Sequence, residues 1–230
     1  MESQSSSFAA VVRSDLVGQD GVTKFSPNRR FATIFSEGSP ADTIFFVETG
    51  LVKVYKRGAD QKEIILQIAG PSEVFGEQAL SSEPSRNMAA EVLQEGAIYV
   101  IPRQIFLRAC ERRPDLWREI SALLTSRKKH LEKKIELLCL HDVEYRILYY
   151  AAELARTVGI KTNNGSEYAI PLSQGELAGL IGATRETTST TLNVLARRGL
   201  IRLGRRQLIV PSIDGVLAAA DQRTRAAKVP

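Results

Sequence analysis

The segment from Leu172 to Val210 constrains the fold of this chain more than any other. It contains two short helical patterns separated by a glycine, followed by a basic hairpin pattern. It also lies in the part of the chain that carries the net positive charge. Residues 1–143 hold 19 Lys and Arg against 19 Asp and Glu, whereas residues 144–230 hold 12 against 7. The formal net charge of +5 is therefore confined to the C-terminal part, which predicts a surface for a polyanionic partner there.

Local signals define two helices and a tight turn within this segment. Ser173 and Glu176 have the spacing of a capping box at the start of the first helix. Gly182 tolerates the positive φ of a tight turn, and Thr184 can cap the second helix. Two helices joined in this way form a helix-turn-helix. Its buried faces are expected to consist of Leu177, Leu180, Ile181, Leu192 and Leu195.

The second helix is predicted to expose a polar face at its N-terminal end, which is the part of a helix-turn-helix that meets base edges. Arg185 can donate two hydrogen bonds to guanine, and Glu186 can accept one from the amine of cytosine. Two alternatives are that Arg185 pairs with Glu186 on the surface, and that Arg185 binds a phosphate. The base-reading face is expected to comprise Arg185, Glu186, Ser189, Thr190 and Asn193.

The hairpin pattern at 200–210 predicts a wing with Gly204 and Arg205 at its turn. Arg202, Arg205 and Arg206 are expected near DNA phosphates, where cations contribute affinity and salt dependence rather than sequence choice. Arg205 and Arg206 therefore complete the predicted DNA-contacting set.

The N-terminal half alternates short β-type runs with glycines between residues 31 and 101. Strands at such even spacing, separated by turn signals, predict a compact antiparallel barrel or sandwich. Residues 1–15 are expected to form a flexible lead, and residues 161–167 an Asn-Gly turn. The candidate strands are 33–35, 44–47, 51–55, 64–68, 91–93 and 98–101.

A long helix is predicted after Pro114, and apolar residues recur along it every seven positions. A sustained seven-residue repeat favours pairing with a second copy of the same helix. The alternative is a helix packed on its own barrel, and a stripe wider than a strict seam is compatible with both. Arg127, Lys134 and His141 interrupt the seam. The predicted dimer interface consists of Trp117, Ile120, Leu124, Leu131 and Leu138.

The rest of the sequence narrows the classes of function. Cys110 and Cys139 do not form a CxxC pair, so neither a disulfide framework nor a zinc site is expected. No apolar run reaches the ~18 residues of a membrane span, and the N-terminus lacks the pattern of a secretory signal, so a cytoplasmic protein without membrane contact is expected. No P-loop, dinucleotide fingerprint, nucleophile elbow or metal-ligand cluster is present, so neither an enzyme with catalytic residues nor a metal site is expected.

Several segments resemble the CRP/FNR family of bacterial transcription regulators. Residues 38–42, 45–54 and 70–80 are similar to its cyclic-nucleotide-binding β-roll, and residues 170–189 are similar to its helix-turn-helix. The order of barrel, long helix and winged helix also agrees. The resemblance implies a homodimer on a pseudo-palindromic double-stranded DNA site, RNA polymerase as a partner if the protein activates, and a small-molecule effector pocket in each β-roll.

In this family a Gly-Glu pair and a later Arg-Ser/Thr pair hold a cyclic phosphate and a ribose. Leu131 aligns with a position that carries a hydroxyl for adenine in cAMP-responsive members, and leucine cannot hydrogen-bond a base edge. A cyclic nucleotide other than cAMP stays open, a retained structural turn and ion pair is the alternative, and haem or iron–sulfur sensing is disfavoured. Thr190 replaces the arginine usual late in the recognition helix. The implied effector-binding positions are Gly76, Glu77, Arg86, Asn87 and Leu131.

The sequence thus predicts an α+β protein with a cyclic-nucleotide-binding-like antiparallel β-roll, a long dimerisation helix and a C-terminal winged helix-turn-helix. The expected function is an effector-responsive homodimeric transcription regulator, and the alternative is a ligand-independent, constitutive DNA-binding regulator of the same fold. The predicted boundaries are an N-terminal arm at 1–30, a β-roll effector domain at 31–113, the dimerisation helix at 114–141, the DNA-binding domain at 142–220 and a tail at 221–230.

Overall fold

The computed structural model describes residues 2–27, 29–162 and 167–226, with side chains described from residue 9 to residue 223. The chain forms two compact units that divide between Leu131 and Glu132. The centre of the predicted Asn-Gly turn, residues 163–166, lies outside the described residues.

The N-terminal unit is built on an antiparallel sheet of six strands. Their order is β1-β6-β3-β4, with β2 also paired to β6 and β5 to β3. The strands are β1 (Thr23–Phe25), β2 (Thr33–Phe35), β3 (Thr43–Arg57), β4 (Glu63–Ala69), β5 (Val74–Phe75) and β6 (Ala89–Pro102).

Two glycines let the long strands β3 and β6 pass very close to each other. A Cβ on Gly50 would lie 2.6 Å from the carbonyl oxygen of Gln94, and one on Gly96 would lie 2.1 Å from that of Thr49. The pairing register shifts several times between Val47 and Val52. The prediction of separate strands on either side of these glycines was therefore wrong, because the glycines mark bends inside two continuous strands.

The N-terminal arm is structured, contrary to the predicted flexible lead. Helix α1 (Glu2–Asp15) buries Ala9, Val12 and the following Leu16 in the core of the N-terminal unit. Residues at this spacing lie on one face of a helix, which explains why the segment folds onto the unit. Strand β1 also pairs with β6, so the unit begins well before residue 31.

Two further α-helices follow the sheet, α2 (Arg103–Arg112) and α3 (Asp115–Leu140), as predicted. Four of the five predicted interface residues on α3 are between 40% and 47% exposed: Trp117, Leu124, Leu131 and Leu138. Ile120 is the exception, because it is only 4% exposed and packs in the core of its own unit with Leu116, one turn earlier. Its prediction as an interface residue was wrong.

The three polar residues that interrupt the apolar repeat of α3 all have partners within the chain. Arg127 donates from Nη2 to the carbonyl of Val74 at 2.6 Å. Lys134 donates to the carbonyl of Leu180, and the ring of His141, just after the helix, stacks on Tyr145. Their presence therefore reflects contacts of the chain with itself.

The C-terminal unit contains the end of α3, four further helices and a second antiparallel sheet in the order β7-β8-β10-β9. Helix α7 was not predicted; it packs on α4, and the predicted start of a tail at residue 221 falls inside it. The elements are α4 (Val143–Thr157), β7 (Ile160–Lys161), β8 (Tyr168–Ile170), α5 (Gln174–Ile181), α6 (Arg185–Arg197), β9 (Arg202–Gly204), β10 (Gln207–Val210) and α7 (Ile213–Ala226).

Candidate nucleic-acid interface and ligand cavity

The predicted helix-turn-helix is formed by α5 and α6. The backbone N–H of Ser173 donates to Glu176 at 2.6 Å, and that of Glu176 donates back to the Ser173 hydroxyl at 3.3 Å, so the capping box is confirmed. Gly182 takes a φ of +64° at the turn, and the Thr184 hydroxyl caps α6 by accepting from Thr187 at 3.1 Å. The five apolar residues predicted on the buried faces are all buried.

The C-terminal end of α5 is held by two cations from other helices. Lys134 Nζ donates to the carbonyl of Leu180 at 2.7 Å, and Arg146 Nη1 donates to that of Ile181 at 2.8 Å. Cations suit this end of a helix because its last carbonyls have no partner within the helix. Lys134 is only 6% exposed, and burial lowers its pKa to about 8. The interrupted apolar repeat of α3 was the one signal in the sequence that pointed to it.

Helix α6 exposes the predicted polar face. Arg185, Glu186, Thr190 and Asn193 are exposed, and Ser189 is half-buried. Among the residues that the structure describes, Arg185 and Glu186 form no ion pair with each other or with a third group. The surface ion pair considered from the sequence is therefore absent, and both side chains are available to an outside partner.

Most hydroxyls of α6 are used within the helix. Thr187 bonds to Thr184, Thr188 donates to the Thr184 carbonyl at 2.8 Å, and Thr191 donates to the Thr187 carbonyl at 2.9 Å. The hydroxyl of Thr190 has no such bond within the described part of the chain. Thr190 thus presents a small side chain with a free hydroxyl one turn beyond Glu186.

The wing is the hairpin of β9 and β10, and its turn differs by one residue from the prediction. Gly204 pairs with Gln207, so the turn consists of Arg205 and Arg206, with Arg206 at a φ of +58°. A Cβ on Gly204 would lie 2.6 Å from the Gln207 side chain, which is exposed and would have to move to accept it. Arg205 and Arg206 are exposed at the tip.

Two other arginines of this unit are already paired with carboxylates. Arg202, expected near phosphates, forms an ion pair with Glu167, and Arg198 bonds to Glu144 at 2.5 Å. A depression of about 200 Å³ between the helices and the wing is lined by both Arg185 and Arg206. The free cations of helix and wing therefore border the same hollow.

A cavity of about 560 Å³ lies in the N-terminal unit. Four of the five implied effector residues line it: Gly76, Glu77, Arg86 and Asn87. Leu131 does not, which corrects its assignment; Leu124, two turns earlier on α3, lines the cavity instead. Apolar side chains form much of the wall, namely Phe35, Val54, Leu80, Met88 and Leu124.

Arg86 is the most deeply buried charge of the cavity, at 2% exposure. Its Nη1 donates to the Gly76 carbonyl at 3.0 Å, while Nη2 donates to the carbonyl of Thr43 and to its hydroxyl at 3.1 Å. The guanidinium carbon lies 4.4 Å from the centre of the Phe35 ring. Burial lowers the pKa of Arg86, and the carboxylates of Asp42 and Glu77 oppose that shift.

Comparison with known proteins finds one family match in each unit. The family "Cyclic nucleotide-binding domain" matches residues 27–113, and the family "Crp-like helix-turn-helix domain" matches residues 145–218. The chain belongs to the CRP/FNR family of transcription regulators. The N-terminal unit is thus its β-roll and the C-terminal unit carries its DNA-binding domain.

Relatives within the CRP/FNR family cover most of the chain. The CRP-like cAMP-activated global transcriptional regulator of Mycobacterium tuberculosis is 29% identical over 77% of this chain and 80% of its own length. The cyclic AMP receptor protein of Thermus thermophilus is 29% identical over 74% and 76%. The relatives and the fold are those of transcription regulators and not of enzymes.

Solved structures of CRP/FNR regulators have the same fold. FixK2 from Bradyrhizobium japonicum is 26% identical, with a TM-score of 0.75 over 86% of this chain and 96% of that one. A CRP/FNR family regulator from Thermus thermophilus has a TM-score of 0.73 over 88% and 99%, and at 24% identity it shows the fold alone.

Within residues 2–27, 29–162 and 167–226, no group of three His, Cys, Asp or Glu side chains is arranged to hold a metal ion. In the same part of the chain, no helix has the length and apolarity needed to cross a bilayer. Cys110 is buried and Cys139 is exposed, and both are free thiols.

Proposed function

We propose that the protein is a cytoplasmic, homodimeric transcription regulator that inserts α6 of each protomer into the major groove of a pseudo-palindromic operator. The observation that carries this proposal is the exposed face of α6, where Arg185 and Glu186 have no partner among the described residues, beside the free arginines of the wing. Two-fold symmetry sets the half-sites roughly 34–36 Å apart. RNA polymerase is the further partner if the protein activates transcription.

Dimerisation is supported by the exposed apolar residues of α3. Trp117, Leu124, Leu131 and Leu138 recur every seven residues and leave a contiguous apolar stripe in water in the single chain. Burying such a stripe against its own copy is the usual outcome for a helix of this length and pattern.

Control by an effector is supported by the cavity of the β-roll. Its volume lies in the range of small-molecule sites, and Leu124 connects its wall to the helix that carries the proposed dimer seam. Two relatives are named for cyclic AMP, which makes a small ligand in this cavity the family's expectation. A ligand shifts the dimer only if it binds two dimer states with different affinity.

The ligand-independent regulator is the second candidate. The observation that favours it is that the guanidinium of Arg86 already bonds to backbone carbonyls of its own unit. DNA binding would be constitutive if no ligand occupied the cavity.

The test is selection of binding sites from random double-stranded DNA with the full-length protein, followed by titration of the selected site. We expect two inverted half-sites and a binding constant that falls steeply as salt rises. The Arg185→Ala/Glu186→Ala variant should recover no common half-site. A selection that enriches no sequence at low salt, with or without ligands, would rule out the proposed function.

A further inference from the structure

We infer that the cavity of the β-roll binds an uncharged, mainly apolar small molecule with an oxygen acceptor, and not a cyclic nucleotide. The inference rests on the proposed effector-responsive function and concerns only the chemical class of the effector. It follows from which hydrogen-bond donors of the cavity are occupied, which are free, and what the walls are made of.

The guanidinium expected to hold a phosphate already bonds to the protein. Both terminal nitrogens of Arg86 donate to backbone carbonyls, those of Gly76 and Thr43, and the side chain is packed over Phe35. A Cβ on Gly76 would lie 3.0 Å from Arg86 Nη1 and 2.9 Å from the Phe45 ring. The glycine thus makes room for Arg86 itself. A phosphate could recruit these nitrogens only by leaving buried carbonyls without donors, which is costly.

Backbone amides around Arg86 are occupied as well. The N–H of Arg86 donates to the Ser39 carbonyl at 2.8 Å, and that of Asn87 donates to Gln78 Oε1 at 3.1 Å. Gln78 in turn donates to the Ser85 carbonyl at 3.1 Å. This side chain therefore ties the loop of residues 85–87 to the 3₁₀ helix Glu77–Leu80 through the amide that a phosphate oxygen would need.

The charges at the cavity also disfavour an anion. Two carboxylates, Glu77 and Glu83, line it together with the single cation Arg86. The Arg127 guanidinium lies 3.7 Å from Glu77 and donates to the Val74 carbonyl at 2.6 Å, and it is not among the lining residues. A phosphate in the cavity would lie beside two like charges and only one lining cation.

The free donor fits one neutral acceptor. Nε of Arg86 is buried and has no hydrogen-bond partner among the described residues. A carbonyl or hydroxyl oxygen on the ligand would satisfy it without bringing charge. Ligand sites that are mostly apolar with a few placed polar groups are the common kind, and the remaining wall is largely aliphatic and aromatic.

The experiment uses the full-length protein and the probe Prodan, a neutral naphthalene that carries one ketone and fluoresces blue in apolar surroundings. We expect saturable binding of one Prodan per chain, with no displacement by cAMP, cGMP or cyclic di-GMP. We also expect these nucleotides to leave the melting temperature unchanged.

A matched pair of variants separates Prodan binding in the cavity from Prodan binding to exposed apolar surface elsewhere on the protein. Met88→Trp fills the cavity and should weaken Prodan binding by about tenfold or more, whereas Ile64→Trp, at an exposed apolar position outside it, should not. The inference is overturned if a cyclic nucleotide raises the melting temperature and Arg86→Gln abolishes the rise. It is equally overturned if Prodan fails to bind, or binds Met88→Trp as well as wild type. Prodan binding is measured without DNA. A failure of DNA binding would therefore overturn the proposed function without affecting the test of the ligand class.

Discussion

Arg185 and Arg202 are both exposed arginines of the C-terminal unit, but only Arg202 has a carboxylate, that of Glu167, within reach. A guanidinium that is free in the unbound protein offers both of its terminal nitrogens to a base or phosphate. A paired one must first give up its partner. The two positions therefore differ in whether the guanidinium is available to DNA, although both carry an arginine.

Arg185→Ala should weaken binding to the selected operator by about 10- to 100-fold, the loss expected for one bidentate base contact. Arg202→Ala should weaken it by less than about threefold, because the Arg202 guanidinium is already paired with Glu167. Fluorescence anisotropy with labelled operator measures both. Equal losses for the two variants would contradict a base-reading role for Arg185.

Thr190 shows what sequence alone could and could not provide at this scale. Its place on the exposed face was predictable from helical spacing. Its free hydroxyl was not, because that depends on which neighbouring hydroxyls bond to carbonyls one turn back. The pairing of Arg202 with Glu167 was hidden for the same reason, since the two residues are far apart in sequence.

At the scale of elements, the close approach of β3 and β6 depends on two glycines. Gly96→Ala should lower the free energy of unfolding by at least about 3 kcal/mol, because its Cβ would overlap the Thr49 backbone. Gly38→Ala is the control: φ there is +82° but nothing lies within 4 Å of the added Cβ, so only about 1 kcal/mol of backbone strain is expected. Urea denaturation compares them, and equal losses would show that the close approach of the two strands is not the cause.

The contact between Lys134 and the end of α5 predicts a pH dependence. The folded protein holds this proton with a pKa of about 8 and the unfolded chain with an ordinary value of 10.5, so between these pH values the unfolded state binds more protons. The free energy of unfolding therefore rises with pH across that window. Below about pH 8 Lys134 is protonated in both states, so the full cost of burying its charge lowers the free energy of unfolding.

Lys134→Met removes the titrating group at similar length. The difference in unfolding free energy between wild type and Lys134→Met should rise by up to about 3 kcal/mol from pH 8 to pH 10.5. Denaturation followed by circular dichroism gives this difference. A difference that is constant over the window would mean that Lys134 titrates normally.

Elements governed by local signals were predictable, and those governed by distant partners were not. The caps of α5 and α6 and the glycine turn follow from residues within four positions of each other. The continuity of β3 and β6 depends instead on pairing across more than forty residues. The wing turn was shifted by one residue because the register of β9 on β10 decides it.

At the scale of the whole molecule, the exposed stripe of α3 predicts self-association. Leu131→Glu should give a monomer, because it places a charge at the centre of the proposed seam. Ile64→Glu is the matched control, since Ile64 is 47% exposed and Leu131 45%, but Ile64 lies on β4. Sedimentation at micromolar concentration distinguishes them. A dimeric Leu131→Glu protein would place the interface elsewhere.

The sequence placed the boundary between the two halves after the long helix, whereas the compact units divide within it, between Leu131 and Glu132. The last two turns of α3 carry Lys134 and Leu138, which contact Leu180 and the turn at Gly182. No local pattern marks this division, because the helix is continuous through it.

The amine of Lys134 has a practical consequence for anyone who wishes to express the DNA-binding half by itself. A truncated gene that begins near Asp142, after the long helix, would lack Lys134. The carbonyl of Leu180 at the end of α5 would then lose this donor and be exposed to solvent. A truncated gene that begins at Glu132 keeps this lysine, and the isolated helix-turn-helix then retains its hydrogen bond at the end of α5.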